Sequence, residues 1–118
     1  MRNLERTALV ALAMCLPAGV FGACGHSVGV DFCGPDLLRL IYINASGLVY
    51  VRPTGPLVPL PSGFVCTPVS GVYFVLNPNA ANFQQIYSAL LSARVEGATV
   101  TLVADPAQPT CTIMYVTL

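Results

Sequence analysis

Gly71-Val72-Tyr73-Phe74-Val75-Leu76-Asn77-Pro78-Asn79, running on through residues 80–95 to Gly97-Ala98-Thr99-Val100-Thr101-Leu102-Val103, is the stretch on which the fold turns. Its first six residues are branched or aromatic after the glycine, which favours a strand. Asn77-Pro78-Asn79 then reads as a helix opening, because either asparagine can cap free amides and proline suits the first turn. The helix is expected from about Ala80 to Val95. Phe83, Ile86, Tyr87, Leu90 and Leu91 recur every three or four residues and share one face, while Gln84, Gln85, Ser88, Ser92 and Arg94 are free for the wet side. Gly97 supplies the stop, and residues 98–103 make the next strand.

Before this stretch, residues 37–43 and 48–52 form two apolar runs around Asn44-Ala45-Ser46-Gly47, a hairpin with a turn. Asn44-Ala45-Ser46 also fits the N-glycosylation triplet, and the turn is the preferred reading. Pro53, Pro56, Pro59, Pro61 and Pro68 forbid a central strand between residues 53 and 68. Such spacing can serve as a polyproline ligand, but a loop stiffened against unfolding is the simpler reading. After the helix and fourth strand, residues 105–109 are turn-rich and residues 111–118 form a fifth strand. The expectation is therefore a mostly β domain with one helix, in the order strand-strand-strand-helix-strand-strand. That is the order of the small five-stranded OB barrel. The same elements could build a sandwich or an open α+β sheet.

The chain has 118 residues, room for one domain. Residues 1–23 read as a signal peptide: Arg2 and Arg6 lead, an apolar stretch runs from Ala8 to Leu16, and small residues end at Gly22-Ala23. The apolar stretch is shorter than the roughly 20 residues a membrane span requires. Residues 24–118 are then the single exported domain, secreted or periplasmic. A lipoprotein anchor at Cys24 is a lesser alternative, since Phe21 stands where that signal wants Leu and an odd cysteine would be left over. Cys24, Cys33, Cys66 and Cys111 form an even set in a short exported chain, which reads as a disulfide framework with three pairings open. In an OB barrel the third and fifth strands run side by side and parallel, so their starts meet. This predicts Cys66–Cys111 and leaves Cys24–Cys33 to clip the N-terminal segment.

Ile86-Tyr87-Ser88-Ala89-Leu90-Leu91-Ser92-Ala93, Gly97, Val100-Thr101-Leu102 and Cys111-Thr112-Ile113-Met114-Tyr115-Val116 carry a further signal. Over residues 70–118, with a weaker extension into the first hairpin, the chain resembles small secreted bacterial proteins similar to the B subunit of subtilase cytotoxin. The resemblance implies an OB-like, ring-forming barrel that binds cell-surface glycans and accompanies an exported catalytic subunit. It transfers no sugar-contacting residue to a numbered position, and the chain has no tryptophan.

Catalytic chemistry is not legible. His26 is the only imidazole and reads as a surface side chain two residues from Cys24. Asp31 and Asp36 flank Phe32-Cys33-Gly34-Pro35, Asp105 precedes Pro106, and all three read as turn-shaping carboxylates. Gly25-His26-Ser27-Val28-Gly29 lacks the strand and helix that flank a phosphate loop. The cysteines lack the close spacing of a zinc knuckle. No enzyme activity, cofactor or metal is expected. Three scattered arginines, Arg39, Arg52 and Arg94, make no nucleic-acid stripe. Charged residues are 8% of the chain, far below the roughly 25% usual in soluble domains, so a homo-oligomer is expected to cover apolar surface. The leading function is glycan or cell-surface recognition, as in a toxin-type B subunit. The rival is a structural or inhibitory protein gripping one partner through apolar faces. Contacts would come from Tyr42, Tyr50, Tyr73 and Tyr115, with Arg52 beside the proline-rich loop, although each tyrosine taken alone is better explained by packing in the barrel or between subunits.

Overall fold

The computed structural model describes residues 24–118. The signal peptide read over residues 1–23 lies outside the described residues. Within them the chain is mostly β with one helix: β1 Cys24–Ser27, β2 Val30–Asp36, β3 Leu38–Ile43, β4 Val49–Pro53, β5 Phe74–Leu76, α1 Phe83–Glu96, β6 Val100–Ala104 and β7 Ile113–Thr117. The strands form two antiparallel sheets, ordered β1-β2-β6-β7 and β3-β4-β5. β2 and β3 follow one another across Leu37 alone, so one run of chain supplies a strand to each sheet. The inner residues of both sheets and of α1, among them Cys33, Val51, Phe74, Leu76, Leu90 and Leu102, make one core cluster.

The expected five-strand count is corrected here, because an N-terminal hairpin adds to it. β1 and β2 reverse through Val28-Gly29, both with positive φ (53° and 78°), as a two-residue hairpin turn demands. Asp31 and Asp36 lie in β2 and are buried, so neither shapes a turn. Gly34 has φ +142°, and a Cβ there would lie 2.5 Å from the Thr101 Cα. Only glycine lets β2 come this close to β6.

The two sheets are not closed into one hydrogen-bonded barrel. β5 and the approach to β7 meet at an isolated parallel bridge, Val75↔Thr112, with Thr67↔Thr110 beside it. β5 is only three residues long, and Pro68 and Pro109 have no amide hydrogen with which to extend that ladder. The parallel contact nevertheless brings Cys66 to Cys111, and the second disulfide joins Cys24 to Cys33.

α1 starts three residues later than the sequence suggests. Asn77 turns its side chain on its own loop, its Oδ1 accepting from the Asn79 amide at 2.9 Å, and Ala80 N donates to Asn77 O. Asn82 occupies the cap position but makes no side-chain cap; its Nδ2 donates to Met114 O at 3.1 Å. Ile86, Leu90 and Ala93 form the buried stripe, Phe83 and Tyr87 pack at its margin, and Leu91 is exposed. Gly97 ends the helix in a left-handed cap, with its own amide and that of Ala98 both donating to Ala93 O.

Candidate functional site

Strand alternation decides what β4 presents to each side. Val49 and Val51 point into the core, which leaves Tyr50 and Arg52 on the outer face. Tyr50 is in register with Tyr42 of β3 and Val75 of β5, and Val75 bridges on to Thr112. Tyr42, Tyr50 and Tyr73 converge on this face, with ring centroids 5.0 Å (Tyr42–Tyr50), 5.4 Å (Tyr42–Tyr73) and 5.9 Å (Tyr50–Tyr73) apart. Loss of hydration, then repulsion from Tyr73 and Tyr50, raises the Tyr42 phenol above the ordinary tyrosine range. Asn44 fixes one member of the trio, donating from Nδ2 to the Tyr50 hydroxyl at 3.2 Å. Its Oδ1 accepts from Ser46 N and Leu48 N, so this amide closes the β3–β4 turn, as a turn reading of the triplet requires.

Beside Tyr50 the outer face opens into a cleft of about 640 Å³. One wall is Leu48, Tyr50 and Val75. The segment entering α1 contributes Asn77, Asn79 and Asn82, and the β6–β7 connection contributes Asp105, Gln108, Thr110 and Thr112. Several of these groups have local partners: Asp105 Oδ1 accepts from Ala107 N at 2.9 Å, and the Thr110 and Thr112 hydroxyls lie 3.1 Å apart. Asp105 therefore shapes a turn, as expected, and its side chain makes no other hydrogen bond among the described residues. The cleft combines an aromatic face with amides, hydroxyls and one carboxylate. That chemistry suits a polyhydroxylated ligand, which needs many directional hydrogen bonds and a flat apolar surface for its ring.

Of the residues singled out for binding, the structure unites Tyr42, Tyr50 and Tyr73. Tyr115 is exposed on β7, in the other sheet. Arg52 lines a separate cleft with Arg39, of about 210 Å³. The amides at 77, 79, 82 and 108 were not identified from sequence, although the density of asparagine around Pro78 was a usable signal.

His26 is only partly a surface side chain. Its Nδ1 lies 2.6 Å from Asp31 Oδ1, directly across the β1–β2 ladder, while Asp31 Oδ2 accepts from Val65 N (2.7 Å) and Cys66 N (2.6 Å). A buried carboxylate thus orients the imidazole and ties the N-terminal hairpin to the start of the 66–111 disulfide. The adjacent cleft measures about 50 Å³, and no serine or threonine lines it. An oriented imidazole there has no hydroxyl to activate. Among the described residues no three His, Cys, Asp or Glu come together to hold a metal ion, and no helix is long and apolar enough to cross a membrane.

No family model matches the chain, and neither a curated protein nor a solved structure matches it.

Proposed function

We propose that this chain is an exported, non-catalytic recognition module that binds a saccharide in the cleft beside Tyr50. The single observation that carries the reading is the composition of that cleft: asparagine and glutamine amides, threonine hydroxyls and the Asp105 carboxylate around Tyr50, the one member of the tyrosine trio that lines it. An OB-like barrel is the finer form of the fold we propose. It is supported by the passage of β2 into β3 across both sheets and by the parallel contact between β5 and the approach to β7. In that barrel form the second and third strands and the flanking loops are where oligosaccharides dock. Export is supported by the two disulfides, which persist in oxidising compartments. A toxin-type B subunit, assembled as a homo-oligomer and carrying an exported catalytic subunit, is the role this reading leads to.

The test is a glycan array probed with the oxidised protein and with Asn79→Ala and Gln108→Ala. Both side chains are exposed and make no hydrogen bond among the described residues, so their loss should spare folding. Saccharide signal that falls in both variants supports the proposal; no signal from the wild-type protein removes it. Light scattering should show an assembly larger than a monomer, and multivalent engagement of a surface would then raise a weak single-site affinity.

Apolar exposure favours a second reading. Val58 is 67% exposed and Val65 71% exposed along the proline-rich loop, and Ile43 is 55% exposed at the end of β3. These residues suit a protein partner. A silent glycan array together with stoichiometric capture of one exported protein, lost on Val58→Asp and Val65→Asp, would establish it.

A further inference from the structure

Two of the three arginines in residues 24–118 line the same cleft. Arg52 leaves the outer face of β4 two residues beyond Tyr50, a rise of about 7 Å along the strand. Arg39 falls in the register shift between Leu38 and Leu40, whose partners are Pro53 and Arg52. The bulge therefore places Arg39 beside Arg52 across the ladder, and both side chains line the cleft. Nothing among the described residues neutralises them. The single ion pair there is His26–Asp31. Asp36, the carboxylate nearest in sequence, is buried beneath the loop; its Oδ2 accepts from the Gly55 amide and it makes no ion pair with either arginine. Asp105 belongs to the other cleft and Glu96 to the end of α1.

The proline-rich loop forms the facing wall of the cleft, with Pro53, Thr54, Gly55, Pro56, Leu57 and Val58. Thr54 holds this wall to β3, its amide and hydroxyl both donating to Leu37 O, at 3.0 and 2.8 Å. A fixed wall and two unpaired forks make a receptor for an oxyanion, because a guanidinium meets a sulfate or carboxylate with two parallel N–H bonds. Val72, the residue before Tyr73, also lines the cleft, and Arg52 lies two residues from Tyr50 on β4, so the arginines sit at the end of the aromatic face.

We infer that Arg39 and Arg52 form an oxyanion subsite at the end of the aromatic face, and that the ligand of the neighbouring cleft is an acidic saccharide bearing a sulfate ester or a carboxylate. The second half rests on the saccharide reading above; the subsite itself does not.

The experiment has two arms. In the first, the arginine Nε–H resonances of the oxidised protein are followed by NMR during titration with sodium sulfate and, separately, with sodium glucuronate, chloride holding the ionic strength constant. Arg39 and Arg52 should shift together and saturate, while Arg94 on α1 stays still. Affinity should fall roughly 10-fold or more in Arg39→Gln and in Arg52→Gln, as expected for loss of one charge-assisted pair. Preference for sulfate or for glucuronate distinguishes a sulfate ester from a carboxylate. In the second arm, sulfated, uronate-containing and neutral saccharides are compared on the array. Acidic members should outbind neutral ones, and the double Gln variant should lose that preference while keeping its neutral binding.

Shifts of all three arginines without saturation would overturn the subsite. Saturable sulfate or glucuronate binding with no saccharide bound would keep the subsite and remove the saccharide reading. Saccharide binding indifferent to charge and to both substitutions would do the reverse.

Discussion

The β1–β2 hairpin and the outer face of β3–β5 both carry polar side chains, and they use them differently. On the hairpin, Asp31 satisfies two backbone amides and an imidazole at once, and Asp36 receives the Gly55 amide. These carboxylates face inward and hold segments of chain that are far apart in sequence. On the outer face, Asn79, Gln108, Arg39 and Arg52 have no partner among the described residues, and the tyrosines meet at their edges around open clefts. Polar groups with internal partners maintain the fold; those facing an opening with none are available to a ligand. Substitutions in the first region should therefore change stability, and those in the second should change binding.

The largest expected effect belongs to the disulfide that anchors the hairpin's attachment point. Cys66 and Cys111 are 45 residues apart, and closing such a loop restricts the unfolded chain by about 4 kcal/mol in the loop-entropy treatment. Replacing both by alanine should lower the denaturation free energy by about that amount. The Cys24–Cys33 pair, 9 residues apart, should matter less, by about 1 kcal/mol. Equal losses for the two pairs, measured by urea unfolding, would break the loop-length account.

Asp31→Ala comes next. It leaves the Val65 and Cys66 amides without an acceptor and frees His26, at a cost of about 3 kcal/mol. His26→Ala removes a partly exposed partner only and should cost less than half of that. Hydrogen exchange would localise the damage: the Cys66 amide should lose protection in Asp31→Ala and retain most of it in His26→Ala. Saccharide affinity should be unchanged wherever the variant remains folded, which is the sharpest separation of the two regions.

How much of this was legible in the sequence follows from the same contrast. The outer-face elements announced themselves through alternation in residues 48–52, through the turn chemistry of Asn44 and Gly47, and through the helical period that ends at Gly97. The disulfide pairing followed from the adjacency of two strand starts. The N-terminal hairpin did not announce itself. Its turn is Val28-Gly29, and valine at φ 53° carries none of the Asn-Gly or Asp-Gly signature of such turns. Gly34-Pro35 inside β2 read as punctuation, while in the fold Gly34 permits contact with Thr101. Asp31 and Asp36 looked like turn residues because their long-range amide partners, at Val65, Cys66 and Gly55, leave no trace in local spacing. The candidate cleft was half legible: Tyr50, which lines it, was visible within a pool of tyrosines, but which of them converge beside it depends on register across three strands. Its amides come from two connections that only the tertiary fold brings together.

Tyr42 gives the smallest effect and the most direct check on the outer face. Its phenol is raised above the ordinary value of 10.0 by lost hydration first, then by Tyr73 and Tyr50. In the unfolded chain the same phenol ionises near its ordinary value, so between the two values the unfolded state has already released a proton that the folded state still holds. Stability from this group is complete below about pH 10 and declines as pH rises through the folded value. Phenolate absorbance, compared between wild type and Tyr42→Phe, should show the Tyr42 component titrating above the unfolded-chain value. Tyr73→Phe should bring that component down, because it removes a neighbouring negative charge at high pH while keeping the ring 5.4 Å away. The substitution should leave the β1–β2 hairpin untouched. A Tyr42 titration at its ordinary value, unchanged by Tyr73→Phe, would mean that the trio does not assemble, and the aromatic wall proposed for the saccharide would go with it.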